Sequence, residues 1–320
     1  MGRPRWLVAS FAFALGSASA QAPEPLAVPE LAAPGDSLAI EDDERMTVPI
    51  SIGGQGPYRF IVDTGAERTV VSDTLADELR LARGGMITVH SLTEVRRHPT
   101  AIVPRLQLGR RTVSDIHAPI MLERALGADG LLGVDSLVSQ RLVLDFRTNE
   151  MTISPSRRRE ARWDADTIVV TARRRFGRLI LVDAALEGER VWVIVDTGAE
   201  ISIANEALRR RLVRRRRLGP TVPIRLTSVT GGTVHLDYGI ARRLRIGSAT
   251  IADLPIGFGD LAPFAKLDLL DQPAILLGME ALRLFERVSL DFATREVRLD
   301  MPPRPRSEAP FEAGLLGSGS

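Results

Sequence analysis

The chain has 320 residues, 44% of them hydrophobic and 26% charged, which suits one globular unit of two lobes or two ordinary domains and argues against a disordered chain. It contains no cysteine, so neither a disulfide nor a lipid-linked cysteine can hold it, and its core must suffice alone. The formal charge is +2, and it falls to zero if Arg3 and Arg5 are removed with the first residues.

Residues 1–20, MGRPRWLVASFAFALGSASA, carry those two arginines, an apolar run from Trp6 to Leu15, and small residues up to Ala20. This pattern predicts a secretory signal cleaved before Gln21 and a protein exported to the periplasm or beyond, with no stable membrane insertion afterwards. The run is short for a membrane span, and no later segment reaches the required apolar length. A Pro/Ala-rich stretch at 21–39 reads as a flexible leader.

The alternating run MTVPISI at 46–52 predicts a strand, GGQGP a turn, and YRFIV at 58–62 a partner strand that delivers Asp63-Thr64-Gly65. GRLILVDAAL at 177–186 predicts a strand, EGER a turn, and VWVIV a second strand that delivers Asp196-Thr197-Gly198, 133 residues after the first motif. At the same offset Val70 falls on Ile203, Leu75 on Leu208 and Leu79 on Leu212, a helical spacing in both halves. Further on, LQLGRRTVSDI at 106–116 matches LRIGSATIADL at 244–254, two strands turning at Gly109 and Gly247. LLGVDSLVSQRLVLDF at 131–146 matches LLGMEALRLFERVSLDF at 276–292, an apolar-apolar-Gly element, a short helix, and a strand ending in Asp-Phe.

Four elements recurring in one order define an internal duplication. The predicted organisation is an N-terminal lobe at 40–154, a polar linker at 155–164, a C-terminal lobe at 165–301, and a loose Pro/Gly/Ser tail at 302–320. The arginine clusters at 157–159, 173–175 and 209–217 read as solvated faces. With aromatics at 5% and no recognition motif, nucleic acid is not an expected partner.

Asp63 and Asp196 each follow an apolar strand, so each carboxylate is expected to be carried inward, where it needs hydrogen bonds or a partner. Gly65 and Gly198 allow a sharp turn that brings amides close, and Thr64 and Thr197 offer hydroxyls that can bond across to the other lobe. Two such loops related by a pseudo-twofold axis would meet. Their carboxyls would then share a proton, one ionised to take a proton from water and one protonated to donate to an amide carbonyl. Such chemistry requires no metal or other cofactor, and His90, His98, His117 and His235 show no ligand spacing with carboxylates.

With IVDTGAE at 61–67 and 194–200 and LLG at 131–133 and 276–278, the sequence resembles the aspartic peptidases, in their retroviral-type or retropepsin-like branch as found in bacterial exported proteins. The carboxyl dyad of aspartic peptidases is itself the standard example of a proton shared between two neighbouring acids. The resemblance implies an all-β fold of two homologous closed-barrel-like lobes with short helices, and an aspartic endopeptidase acting on protein or peptide. It implies catalytic roles for Asp63 and Asp196. It also implies support of the active-site loops by Thr64, Gly65, Thr197, Gly198, and by Leu131, Leu132, Gly133 and Leu276, Leu277, Gly278. Ala66 and Ala199 match the retroviral type and, with Glu67 and Glu200, are the candidate substrate contacts. Glu67 and Glu200 stand where that branch often has Asp or Asn, and their longer arms are expected to meet substrate or form a salt bridge at the lobe edge.

The resemblance also implies a covering hairpin. The candidates are 86–103, whose Arg96-Arg97-His98-Pro99 offers no glycine for a tip, and 221–240, with a tip at Thr230-Gly231-Gly232. Trp163 and Trp192 read as packing anchors, Tyr58 as core or edge, and Asp145 and Asp291 as turn or inter-strand salt-bridge residues. The duplication favours a monomer with an intramolecular pair. A homodimer pairing Asp63 with Asp63 and Asp196 with Asp196, and a peptide-binding or assembly module that keeps the fold without turnover, are the alternatives.

Overall fold

The computed structural model describes residues 37–39, 46–91, 95–109, 111–156, 163, 167–227 and 232–302. The predicted signal at 1–20, most of the leader, most of the linker and nearly all of the tail therefore lie outside the described residues. No helix among the described residues is long and apolar enough to cross a membrane.

Met46, Val48, Ile50 and Ile52 are all buried, so the period-two pattern of the first predicted strand places one side on the core. Strand Thr47–Ile52 pairs with Gln55–Val62, and hydrogen bonding then runs through Gly130–Leu132, Val70–Ser72, Arg111–Met121 and Val95–Leu108. Pairing of Val95–Leu108 back to Thr47–Ile52 closes a six-stranded barrel, with Ala82–His90 added outside it.

The C-terminal half repeats the order with Trp192–Val195, Ala274–Leu277, Ser202–Ala204, Ala249–Phe258 and Thr233–Ile246. Its first strand differs from the continuous one expected over 177–186. Arg178–Leu181 pairs with Trp192–Val195, whereas Ala184–Leu186 pairs with Thr233–Ile246. The interruption falls at Val182 and Asp183, where the Asp183 carbonyl accepts from Gly247 N at 2.8 Å and its carboxylate from Arg245 at 3.0 Å. These bonds draw the backbone off the ladder, so this ring closes only through two pieces.

The two halves join in an antiparallel sheet. Gln140–Asp145 lies against Arg287–Asp291, flanked on one side by Glu150–Pro155 and Ser37–Ala39 and on the other by Glu296–Asp300 and Ile168–Arg175. Arg141 stands opposite Asp291, Arg287 opposite Asp145, and Val143 opposite Ser289 at the centre, a register that maps onto itself when the halves are exchanged. Leu142, Leu144, Val288 and Leu290 from this sheet belong to one hydrophobic core with side chains of both lobes. Pro155, assigned to the linker from sequence, ends the strand Glu150–Pro155.

The helical spacings after each motif become Asp73–Glu78 and Glu206–Arg214, capped by Ser72 Oγ and Asn205 Oδ1, each accepting from the amide three residues on at 3.0 Å. Trp163 serves as an anchor, with the Arg287 guanidinium 3.8 Å above its ring, and Trp192 sits 5.5 Å from Arg173. Asp291 and Asp145 also hold the places expected of them. Asp291 is buried and takes Arg141 at 2.9 Å, Ser156 Oγ and the turn amides of Ala293 and Thr294. Asp145 takes Arg147 at 2.8 Å at a more exposed turn.

Candidate active site

Each motif is delivered to the centre by the same device. Gln55–Val62 pairs in parallel with Gly130–Leu132, and Trp192–Val195 with Ala274–Leu277. The final rungs are Asp63 N to Leu132 O at 3.1 Å and Asp196 N to Leu277 O at 3.0 Å. Gly133 and Gly278 follow at once. A β-carbon on Gly133 would come within 2.5 Å of the Arg68 backbone, and one on Gly278 within 2.6 Å of the Ile201 backbone, so the Leu-Leu-Gly elements press directly on the chain just past the motifs. Val134 N then donates to Ala66 O at 2.9 Å, and Met279 N to Ala199 O at 2.8 Å.

The threonines cross between lobes. Thr64 Oγ1 donates to Val195 O at 2.8 Å and accepts from Thr197 N at 3.1 Å; Thr197 Oγ1 donates to Val62 O at 2.7 Å and accepts from Thr64 N at 3.1 Å. Both side chains are buried, so each hydroxyl meets the backbone groups of the opposite loop where water does not.

The glycines let the carboxyls meet. A β-carbon on Gly65 would overlap the Asp196 carboxyl, and one on Gly198 would overlap the Asp63 carboxyl. The two carboxyls stand close enough for each to shift the protonation of the other. Asp63 Oδ1 also accepts from Gly65 N at 2.8 Å and Ala66 N at 2.9 Å, whereas Asp196 Oδ1 accepts from Gly198 N at 2.9 Å.

Burial raises the pKa of both groups. For Asp196 the charge of Asp63 raises it further, and for Asp63 the hydrogen bonds from Asp196 and from the Gly65 and Ala66 amides oppose the rise. The pair therefore retains a proton well above the ordinary carboxylate range. The second amide on Asp63 places the larger share of the negative charge there.

A cleft opens over this pair. Its floor is Asp63, Gly65, Asp196 and Gly198, and Ala66, Glu67, Ala199 and Glu200 also line it. Thr64, Thr197, Leu132 and Leu277 instead hold the loops from below. Both expected covering segments form antiparallel hairpins, Ala82–His90 with Val95–Leu108 and Val222–Thr227 with Thr233–Ile246. The first contributes Thr88, Val89, His90 and Ser91 to the cleft, the second Leu226. Arg96, Arg97, His98 and Pro99 are not at a tip. They lie on the returning strand and pair with Val89, Thr88, Ile87 and Met86, and the register runs on to His90 opposite Val95. In the second hairpin Thr230 and Gly231 lie outside the described residues, and Gly232 directly precedes the returning strand.

Several participants carry no mark in the sequence reading. Arg178 Nε donates to Gly65 O at 2.6 Å, and its charge reaches both aspartates. Lys266, from the helix Ala262–Lys266, holds Glu67 at 2.7 Å. Thr69 and Ser202 accept from Gly133 N and Gly278 N at 3.2 Å, and Asp135 accepts from Thr69 Oγ1 at 2.8 Å. Thr69 and Ser202 share the duplication offset, so paired small hydroxyls in matched frames are a signal that could have found them. Lys266 has none.

Two all-β lobes meeting at crossed Asp-Thr-Gly loops define an aspartic protease fold. Residues 48–139 match the family described as gag-polyprotein putative aspartyl protease, and residues 182–281 the family described as aspartyl protease. The chain belongs to the retroviral-type aspartyl proteases, in a duplicated form carrying two such domains in tandem. No curated protein matches it.

Proposed function

We propose that the chain is an aspartic endopeptidase that hydrolyses peptide bonds in protein or peptide substrates, using Asp63 and Asp196 of one molecule. The observation that carries this reading is the mutual fit of each carboxyl against the opposite glycine, which brings the two acids together as one interacting pair. Asp63, the better solvated by amides, acts as the base that takes a proton from the attacking water. Asp196 gives its proton to the carbonyl oxygen as the tetrahedral centre forms. Collapse of that centre breaks the C–N bond as the proton gained by Asp63 passes to the leaving nitrogen, and the acid proton returns to Asp196 from the hydroxyl. The crossed threonine bonds keep both carboxyls in place through this exchange.

Turnover of a denatured protein, followed across pH in the wild type and in Asp63→Asn and Asp196→Asn, tests the reading. Either substitution should lower kcat by about a thousandfold or more, since each removes one half of an acid-base pair, with far-UV circular dichroism unchanged. Wild-type protein without turnover at any pH, or a single variant that keeps its rate, would overturn it.

A further inference from the structure

Glu67 and Glu200 occupy the same place in the two halves and line the same cleft, yet their charges are handled differently. Glu67 is neutralised: Lys266 lies at 2.7 Å and the buried Arg178 at 3.4 Å. Beside it Arg68, exposed and cleft-lining, adds a cation where the other half has Ile201. The Asp63 side thus sets three cations against one glutamate.

Glu200 is exposed and forms no ion pair among the described residues. Its carbonyl accepts from Glu280 N at 3.0 Å, which fixes a second carboxylate behind it. Oε2 of Glu280 is buried without a hydrogen-bond partner, and burial, then the charge of Glu200, raises its pKa. An exposed glutamate on a convex surface would need no counter-charge. This one faces a partly enclosed cleft beside the aspartate pair, where screening by water is weaker.

We infer that the cleft is electrically polar along its length and accepts a cationic side chain, lysine or arginine, on the side of the Asp196 loop, with Glu200 as the residue that selects it. This rests on the peptidase reading for one point, that the ligand is a polypeptide. An ammonium or guanidinium placed there would offset the Glu200 charge and ease the repulsion with Glu280. The cations around Glu67 repel such a group, so the preference is confined to one side and also sets the direction in which the peptide lies.

Binding separates this from turnover. The full-length Asp63→Asn chain would be titrated at low salt, by fluorescence anisotropy, with two apolar-rich random peptide pools that differ only in one fixed residue, lysine or acetyl-lysine. The lysine pool should bind about fivefold more tightly, the scale of one partly screened ion pair. Adding Glu200→Gln should bring the ratio to about one, and Glu200→Lys should invert it, while Glu67→Gln should leave it standing. A ratio of one in the parent, or a preference that survives Glu200→Gln in a chain with unchanged melting temperature, would overturn the inference. Lysine preference in a wild-type protein that cleaves nothing would sink the peptidase reading alone, and cleavage without the preference would sink this one alone.

Discussion

The loops around Asp63 and Asp196 are identical over seven residues, Ile-Val-Asp-Thr-Gly-Ala-Glu, and share their crossed threonine bonds, differing there in the Ala66 amide that Asp63 alone receives, yet they part company in sequence a single residue beyond. Symmetry is retained where each half must receive the other: the threonine hydroxyls on opposite carbonyls and the glycines under opposite carboxyls. It lapses where a residue meets only its own surroundings, as at Arg68 against Ile201 or Asp135 against Glu280. A duplicated chain is free to diverge at such positions, because each copy is mutated separately. A site assembled from two identical chains has no such freedom.

The joining sheet gives the largest expected contrast. Asp291 is buried, and although burial works against its ionisation, hydrogen bonds from Thr294 N and Ser156 Oγ and the Arg141 charge hold its pKa below the ordinary value. Asp291→Ala would remove the carboxylate that balances the charge of buried Arg141 and should destabilise the chain by about 3–5 kcal/mol. Asp145→Ala, at the more exposed equivalent turn, should cost about 1 kcal/mol or less. Chemical denaturation of both variants measures the difference, and equal losses would remove the contrast. Because the Asp291 value is lowered, its contribution is present above the unfolded carboxylate pKa and is lost as pH falls through the folded one.

The threonines should behave alike. Thr64→Val and Thr197→Val each remove a donor to a buried carbonyl and an acceptor for a buried amide, and each should cost about 2–3 kcal/mol. A loss in one half only would show that the crossed bonds are unequal, and would locate the asymmetry at the centre of the site rather than at its edge.

A pH-dependent contrast concerns the proton shared by the aspartates. Their folded values are raised, so above the unfolded carboxylate range the native state binds more protons than the unfolded state, and stability falls as pH rises toward the folded values. Asparagine cannot ionise. Asp196→Asn should therefore gain in melting temperature relative to the wild type as pH is raised from about 4 toward neutrality. A difference that shrinks over that interval would reverse the assigned sign.

Much of this is legible in the sequence alone. Repeated strand pairs ending in Asp-Thr-Gly, the Leu-Leu-Gly elements, and the Leu75/Leu79 and Leu208/Leu212 spacings are local patterns, and each forms the predicted element except the strand over 177–186, which splits in two. What stays hidden depends on contacts between segments distant in the chain. Arg178 reaches Gly65, and Lys266 reaches Glu67, through the packing of one lobe against the other, and no spacing records that. The pairing of His90 with Val95, which sets the register of the first hairpin, has no glycine beside it to mark it. The break at Val182 and Asp183 follows from bonds to Arg245 and Gly247, invisible in an otherwise regular apolar run.

The central claim, that one molecule supplies both acids of its site, is tested most directly by mixing. Asp63→Asn and Asp196→Asn chains would be assayed separately and then together, after joint unfolding and refolding. An intramolecular site predicts no turnover in any of the three samples. Activity restored in the mixture would mean that lobes pair between chains, and activity in either variant alone would mean that like aspartates pair with like. Each of those outcomes contradicts a site built from Asp63 and Asp196 of a single chain.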